Sequence, residues 1–404
     1  MTELAPFSPV DPPFLDDPYP VYRAYRQAGA VHRSTFGDWY VFAYAEGQAV
    51  LHQPPFVRDM LNAVPPERIQ APPERHAAWE EFNRKAMLFR DPPDHTRLRA
   101  LVNRAFTSRM AEGLRARIQS ITGELLDTAE ARGVIDLIAD LGQPLPLLVI
   151  AELLGVPGED RALLKRWSGE IFRAIDIVAP EEEDAVKTRA STATEEFGAY
   201  LRAQIAERRR APREDLLSAL VSIEEQGERL SEDELVHMCI LLLNAGHETA
   251  TNLIGNGALA LMRHPEQLAL LRREPGLLAG AVDELLRYDS PIQMVGCWTS
   301  ADAQLGGVSL PGGTFVIVLT GSANRDPAVF RDPDRLDITR AERRSLSFGH
   351  GPHYCLGAPL ARVEGQVALG ALLRRFPHLE PLDERPTWTG SPVFRGLRSL
   401  RLRV

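Results

Sequence analysis

The chain has 404 residues, 44% of them hydrophobic, and a formal net charge of -9. That length and apolar content support a substantial core, while the acidic balance excludes wholesale binding to nucleic acid or to an anionic membrane surface. Three cysteines, Cys239, Cys297 and Cys355, stand too far apart for a disulfide framework or a paired zinc site, so a reducing compartment is expected.

The opening residues lack a basic stretch followed by an apolar run, and nothing later approaches the roughly 20 apolar residues of a membrane span. A cytoplasmic protein without membrane contact is expected. Prolines are dense from Met1 to Pro20, which predicts an extended lead, followed by a short helix over Tyr22 to Gln27. Val31 to Leu51, with Trp39-Tyr40-Val41-Phe42 after Gly37-Asp38, reads as a small hairpin. Paired prolines between Pro54 and Pro73 predict an irregular segment with at most short helical turns. From Asp94 to Gly280 the spacing is helical, with breaks at Gly133, Pro144, Pro157, Pro180, Pro212, Gly227, Pro265 and Pro275. After Pro291 short strands take over, Phe315 to Leu319 the clearest, and Pro392 to Val404 reads as strand and turn. No repeat, low-complexity block or linker divides the chain. The expectation is one domain over residues 1–404, mainly α with small β-sheets.

Four groups of residues carry chemistry. Asp94-His95-Thr96-Arg97-Leu98-Arg99 opens a helix with His95 and Arg99 four apart on one face. Ser231-Glu232-Asp233-Glu234 has capping-box spacing and starts a helix of about 32 residues, roughly 48 Å long. Its middle is apolar through Cys239-Ile240-Leu241-Leu242-Leu243, then turns to Asn244, Gly246, His247, Glu248 and Thr249. Either Thr249 bonds the carbonyl of Ala245 and Glu248 faces a solvated groove, or the polar groups belong to a site. His247 either faces a substrate or packs. Glu284 and Arg287 stand three apart on a helix face, where a generic pair contributes only a few tenths of a kcal/mol. Finally, Phe348-Gly349-His350-Gly351-Pro352-His353-Tyr354-Cys355-Leu356-Gly357 places a thiol at the end of a glycine-rich loop, just before a helical run to Phe376. A lone cysteine is usually a small buried hydrophobe. Glycines that let a flat partner approach, and a helix N-terminus that favours the thiolate, point to a metal ligand.

The cysteine loop resembles the haem-binding segment of the cytochrome P450 family, and the other three groups occur in that family's order. The resemblance implies a cytochrome P450 fold, with the long central helix over a haem b. It implies that Cys355 is the axial thiolate ligand of iron, that Phe348, Gly349, Leu356 and Gly357 line the cofactor, and that His95, Arg99 and His353 reach its propionates. Glu248 and Thr249 would deliver protons for dioxygen activation, beside Ala245 and Gly246. Glu284 and Arg287 would form a buried ion network with Arg335, bracing the loop. Substrate contacts are implied at Met87, Leu242, Ala245, Gly246, Met294, Val295, Val393 and Phe394. One departure stands out: Cys297 occupies a position where related bacterial enzymes carry an arginine that pairs with a propionate.

The implied activity is a monooxygenase that inserts one oxygen atom of dioxygen into a small organic substrate, tailoring a polyketide, macrolide or aromatic natural product that arrives free or tethered to a carrier protein. A monomer served by a ferredoxin and its reductase is expected, with Arg104, Arg109, Arg344 and Arg362 as a basic docking surface. The other readings are oxidative coupling or peroxygenase chemistry at the same haem, and a non-catalytic haem sensor or carrier-recruitment module.

Overall fold

The computed structural model describes residues 5–225 and 228–404. Gly227 and the first four residues of the lead lie outside them. The body is helical, as the spacing predicts, and the long helix runs Glu232–Arg263. Its capping box is formed: the Glu234 N–H donates to Ser231 Oγ at 3.2 Å and the Ser231 N–H to Glu234 Oε2 at 2.8 Å. Residues 235–244 and 250–261 are buried all round, because neighbours cover every face of this helix.

The helix after the cysteine loop, Ala358–Arg375, packs against the long one. Close approach depends on Gly365, where a Cβ would lie 2.9 Å from Leu253 Cδ2 and 3.2 Å from Val282 Cγ1. A second contact layer comes from the helix Leu278–Tyr288, which carries Glu284 and Arg287.

The strands gather mainly in a five-stranded sheet ordered Val31–Arg33, Trp39–Val41, Phe315–Leu319, Met294–Thr299 and Phe56–Val57. Period-two alternation in Phe315–Leu319 sends Val316 and Val318 into one apolar cluster, and Ile317 and Leu319 into another built around Phe7, Tyr22 and Phe42. Both faces being covered, the strand reads as a continuous hydrophobic run.

Three expectations need correction. The proline-rich lead contains two helices, Pro12–Asp16 and Pro18–Ala28, because each proline sits in the first turn, where its missing N–H costs nothing. The hairpin ends at Val41, and Tyr44–His52 is a helix whose first N–H donates to Asp326 Oδ2. Within the helical body, Leu137–Gly142 is a π-helix and Val134–Asp136 a strand paired with the C-terminal Arg401–Arg403.

Burial pushes the Glu364 carboxyl, on the helix after the cysteine, from its ordinary 4.5 up to about 8. The folded protein therefore keeps a proton that the unfolded chain releases. Stability is expected to fall as pH rises from about 4.5 to about 8, by up to ~1.4 kcal/mol per pH unit from this group. Glu364→Gln is expected to flatten that slope and to stabilise the protein at pH 8; urea unfolding across the range checks it, and an unchanged slope contradicts it.

Candidate functional site

The cysteine loop is closed at its base by the Cys355 N–H, which donates to Phe348 O at 2.8 Å. Gly349 and Gly351 hold φ of 73° and 72°, a left-handed conformation that a side chain resists. At Gly351 a Cβ would also fall 2.7 Å from His52 Nδ1, so the loop lies directly on the helix Tyr44–His52. The main-chain N–H groups of Gly357 and Ala358 point at the Cys355 sulfur. Burial pushes the free thiol up, and those two donors, with the Arg99 and Arg362 cations, act in the opposite direction. The helix terminus alone does not yield a thiolate here; a metal cation would complete the shift.

His95 and His353 come together as predicted, their ring centroids 4.0 Å apart. Burial, reinforced by Arg58, His95 and Arg99, lowers His353 to about 2. Burial and Arg99 also lower His95. Both rings are neutral N–H donors near neutral pH. Arg99 is half-buried and makes no ion pair among the described residues.

The ion network forms with one change of member. Arg287 grips Glu284 through two parallel bonds, Nε to Oε2 at 2.7 Å and Nη2 to Oε1 at 2.8 Å, with both side chains buried. The third charge is Arg340, whose Nε reaches Glu284 Oε1 at 3.2 Å. Arg335 is exposed and contributes only its carbonyl, to Arg287 Nη2 at 3.3 Å. A turn at Asp332, with φ 45°, directs the Arg335 side chain outward.

Asn324 links this pair to the loop. Its carbonyl accepts from Arg287 Nη1 at 2.9 Å, its Oδ1 from the Leu346 N–H at 2.6 Å, and its Nδ2 donates to Ser290 Oγ and Ser347 Oγ. The sequence reading gave no role to Asn324 or Arg340. The run Asn324-Arg325-Asp326-Pro327 held the signal for the first: a buried asparagine there must satisfy its amide from several elements. Arg362, assigned above to an open basic surface, donates to Asp283 at 2.7 Å and lies 4.6 Å from the Phe348 ring centre.

Between Leu235 and Leu261 of the long helix the burial breaks only around the polar residues. Ala245 is exposed and Gly246, Glu248 and Thr249 are half-buried, although the flanking turns are covered on every side. Thr249 Oγ1 donates to Ala245 O at 2.7 Å, as the backbone-bonding reading allowed. Burial raises the Glu248 carboxyl, with Lys165 opposing, so it is a better proton carrier near neutrality than a solvated glutamate. His247 is buried, its ring nitrogens making no well-formed hydrogen bond among the described residues although the Gln143 main chain lies near the ring. Burial lowers it to about 4, so it packs as a neutral ring, with Nδ1 3.9 Å from Glu248 Oε1.

The predicted substrate positions divide. Met87 and Leu242 lie in the main core, and the turn Met87–Phe89 packs on the long helix. Strand alternation sends Met294 into the aromatic cluster with Tyr22 and Val295 toward the opposite cluster, so the two do not share a face. Val393 and Phe394 meet the entry of that strand through the Gln293 N–H to Val393 O bond and the Ile292–Phe394 bridge. Phe172, absent from the prediction, packs on Phe394 with ring centroids 4.0 Å apart and planes inclined by 37°.

The cytochrome P450 family model matches residues 30–395. A monooxygenase of Streptomyces venezuelae, "Cytochrome P450 monooxygenase PikC", is 43% identical over 96% of this chain and 92% of its own length. The 6-deoxyerythronolide B hydroxylase of Saccharopolyspora erythraea is 39% identical over 97% of both. Among solved structures, P450BioI in complex with an acyl carrier protein ligated by hexadec-9Z-enoic acid superposes with a TM-score of 0.89 at 37% identity, covering 97% of this chain and 99% of its own.

Haem b is that family's cofactor, and the residues present fit it. A sulfur that collects N–H donors suits iron, neutral histidines and a half-buried arginine without a carboxylate suit propionates, and the uncovered stretch of helix leaves space. Arg340→Ala is expected to lower the unfolding free energy by about 3–5 kcal/mol, since it strips a buried carboxylate of a partner, with haem content falling in parallel. Arg335→Ala is expected to change it by no more than about 0.5 kcal/mol. Urea unfolding of the pair checks the assignment, and equal losses contradict it.

Proposed function

The chain belongs to the cytochrome P450 family, and on that premise we propose that it is a bacterial monooxygenase for a macrolide or other polyketide-type substrate, with the whole chain acting as one domain. The observation that carries the reading is the uncovered stretch midway along the long helix, where small residues and a proton-carrying pair meet. Half-buried polar groups midway along a helix that is otherwise covered fit the wall of an opening, where they escape the cost of burial without a partner.

Cys355 would hold the haem iron through its sulfur, with Phe348, Gly349, Leu356 and Gly357 beside it, while His95, Arg99 and His353 would hold the carboxylates. Bound haem supplies the redox chemistry, with the electron-rich thiolate assisting cleavage of the dioxygen bond. This chain's own residues do the rest. Ala245 and Gly246 leave room above the helix for substrate. The Glu248 carboxyl holds a proton because burial raises it, and Thr249 Oγ1, by giving up its bond to Ala245 O, passes a proton into the opening. Met87, Leu242, Val295, Val393 and Phe394, with Phe172, would give the pocket its apolar wall and exclude water.

Members of this family depend on redox partners, and we assign a ferredoxin with its reductase, docking on the cysteine side at Arg109 and Arg344, both exposed. No helix among the described residues is long and apolar enough to cross a membrane, and we place the enzyme in the cytoplasm as a monomer. The carrier-protein complex of a structural relative favours a second form of substrate delivery, in which the acyl chain arrives tethered.

Reconstituted turnover with free macrolactones and with carrier-bound acyl chains separates the two forms; oxidation of neither class contradicts the proposal. In the productive pairing, Thr249→Ala is expected to consume reductant at a similar rate but to divert most of it to hydrogen peroxide, lowering product per reductant severalfold. An unchanged ratio removes Thr249 from proton delivery.

A further inference from the structure

Arg58 lies just past the strand Phe56–Val57, whose pairing with Met294–Thr299 sets Val57 opposite Trp298 and brings Arg58 beside Gly296 and Cys297. Its Nη1 donates to Gly296 O at 2.6 Å. That is the guanidinium's one bond among the described residues, and it makes no ion pair there.

The neighbouring acids are committed elsewhere. Asp91 accepts from the Arg58 and Asp59 N–H groups at 2.8 and 2.9 Å and from Asn62 Nδ2 at 3.0 Å. Asp59 accepts from the Leu61 N–H at 2.9 Å and from Arg90 Nη1 at 2.7 Å. A half-buried fork of five donors thus has a single acceptor. Asp91 also accepts from the His95 N–H at 2.9 Å through its carbonyl, so it sets Arg58 beside the start of the helix that carries His95, whose ring centre lies 4.0 Å from that of His353.

Arg58 and Arg99 therefore bring two cations to the region of the neutral His95 and His353, where the carboxylate that reaches His95, Asp91, is already taken up by two main-chain N–H groups and Asn62. Such a gathering is unfavourable until an anion shares it. Cys297, on the adjoining strand, supplies nothing: its side chain is buried and its sulfur faces Val50 O at 3.8 Å.

We propose that Arg58 is a cofactor-holding residue, its guanidinium binding a haem carboxylate on the side of the site where Cys297 brings no charge. This rests on the haem reading above. The competing role is a clamp on the strand through Gly296 O alone. Glutamine at position 58 keeps an N–H donor for that carbonyl while removing the charge, so Arg58→Gln separates the two.

The test is haem transfer from the holoenzyme to excess apomyoglobin, with the wild type and Arg58→Gln each loaded with haemin or with haemin dimethyl ester, which lacks both carboxylates. A charge-assisted bond lost to the cofactor predicts haemin loss at least tenfold faster from the variant, with ester loss at the same rate from both proteins. Unchanged haemin loss, or equal acceleration for haemin and ester, overturns the proposal and leaves the clamp. A wild type that retains haemin while Arg58→Gln behaves identically sinks this inference alone; a wild type that takes up no haemin sinks the haem reading with it.

Discussion

The paired bonds between Arg287 and Glu284 are the constraint on which the rest of the site depends. Both side chains are buried, and the guanidinium is saturated by the Asn324, Pro333 and Arg335 carbonyls as well as the carboxylate. A buried ion pair adds little net stability when complete, but it is costly to break. It therefore acts less as glue than as a registration device, fixing the helix Leu278–Tyr288 against the chain around Asn324 and Arg335. Asn324 then passes that registration to Leu346 and Ser347, the residues from which the cysteine loop departs. The loop itself is two left-handed glycines and one short main-chain bond, and without those external fixings it would have little to hold its shape.

Electrostatics around the loop are built for ligands of defined charge. The sulfur is drawn toward the thiolate by two N–H groups and two arginines, yet burial keeps the free thiol protonated. Burial, reinforced by the arginines beside them, keeps the histidines neutral. Each is a frustrated arrangement in the protein alone, and under the proposed function each would be relieved by one component of the same cofactor: a metal cation for the sulfur, carboxylates for the donors.

Much of this was legible in the residues. Periodicity and a capping box place the long helix to within a residue, because Ser231 and Glu234 satisfy each other locally and nothing distant intervenes. The cysteine loop is legible for the same reason: its glycines, its thiol and the following helix are contiguous. Arg340 was not legible, since which arginine reaches Glu284 depends on a turn at Asp332 and not on spacing from Arg287. Arg58 was hidden behind a strand pairing between residues some 240 apart, and only the folded chain brings it beside Cys297. The lead was misread because proline density was taken to oppose helix, whereas Pro12 and Pro18 stand where helices begin. Met294 and Val295, both implied by the resemblance as substrate contacts, are consecutive on a strand and so take opposite faces.

The proposed function turns on the bond that the Cys355 sulfur would make to haem iron. The reduced protein under carbon monoxide, recorded beside its Cys355→His counterpart, tests it most directly. The wild type is predicted to show the red-shifted Soret band of sulfur ligation, with the variant losing it while still holding haem. A wild-type adduct without that band, or one whose band is indifferent to the residue at 355, contradicts the account.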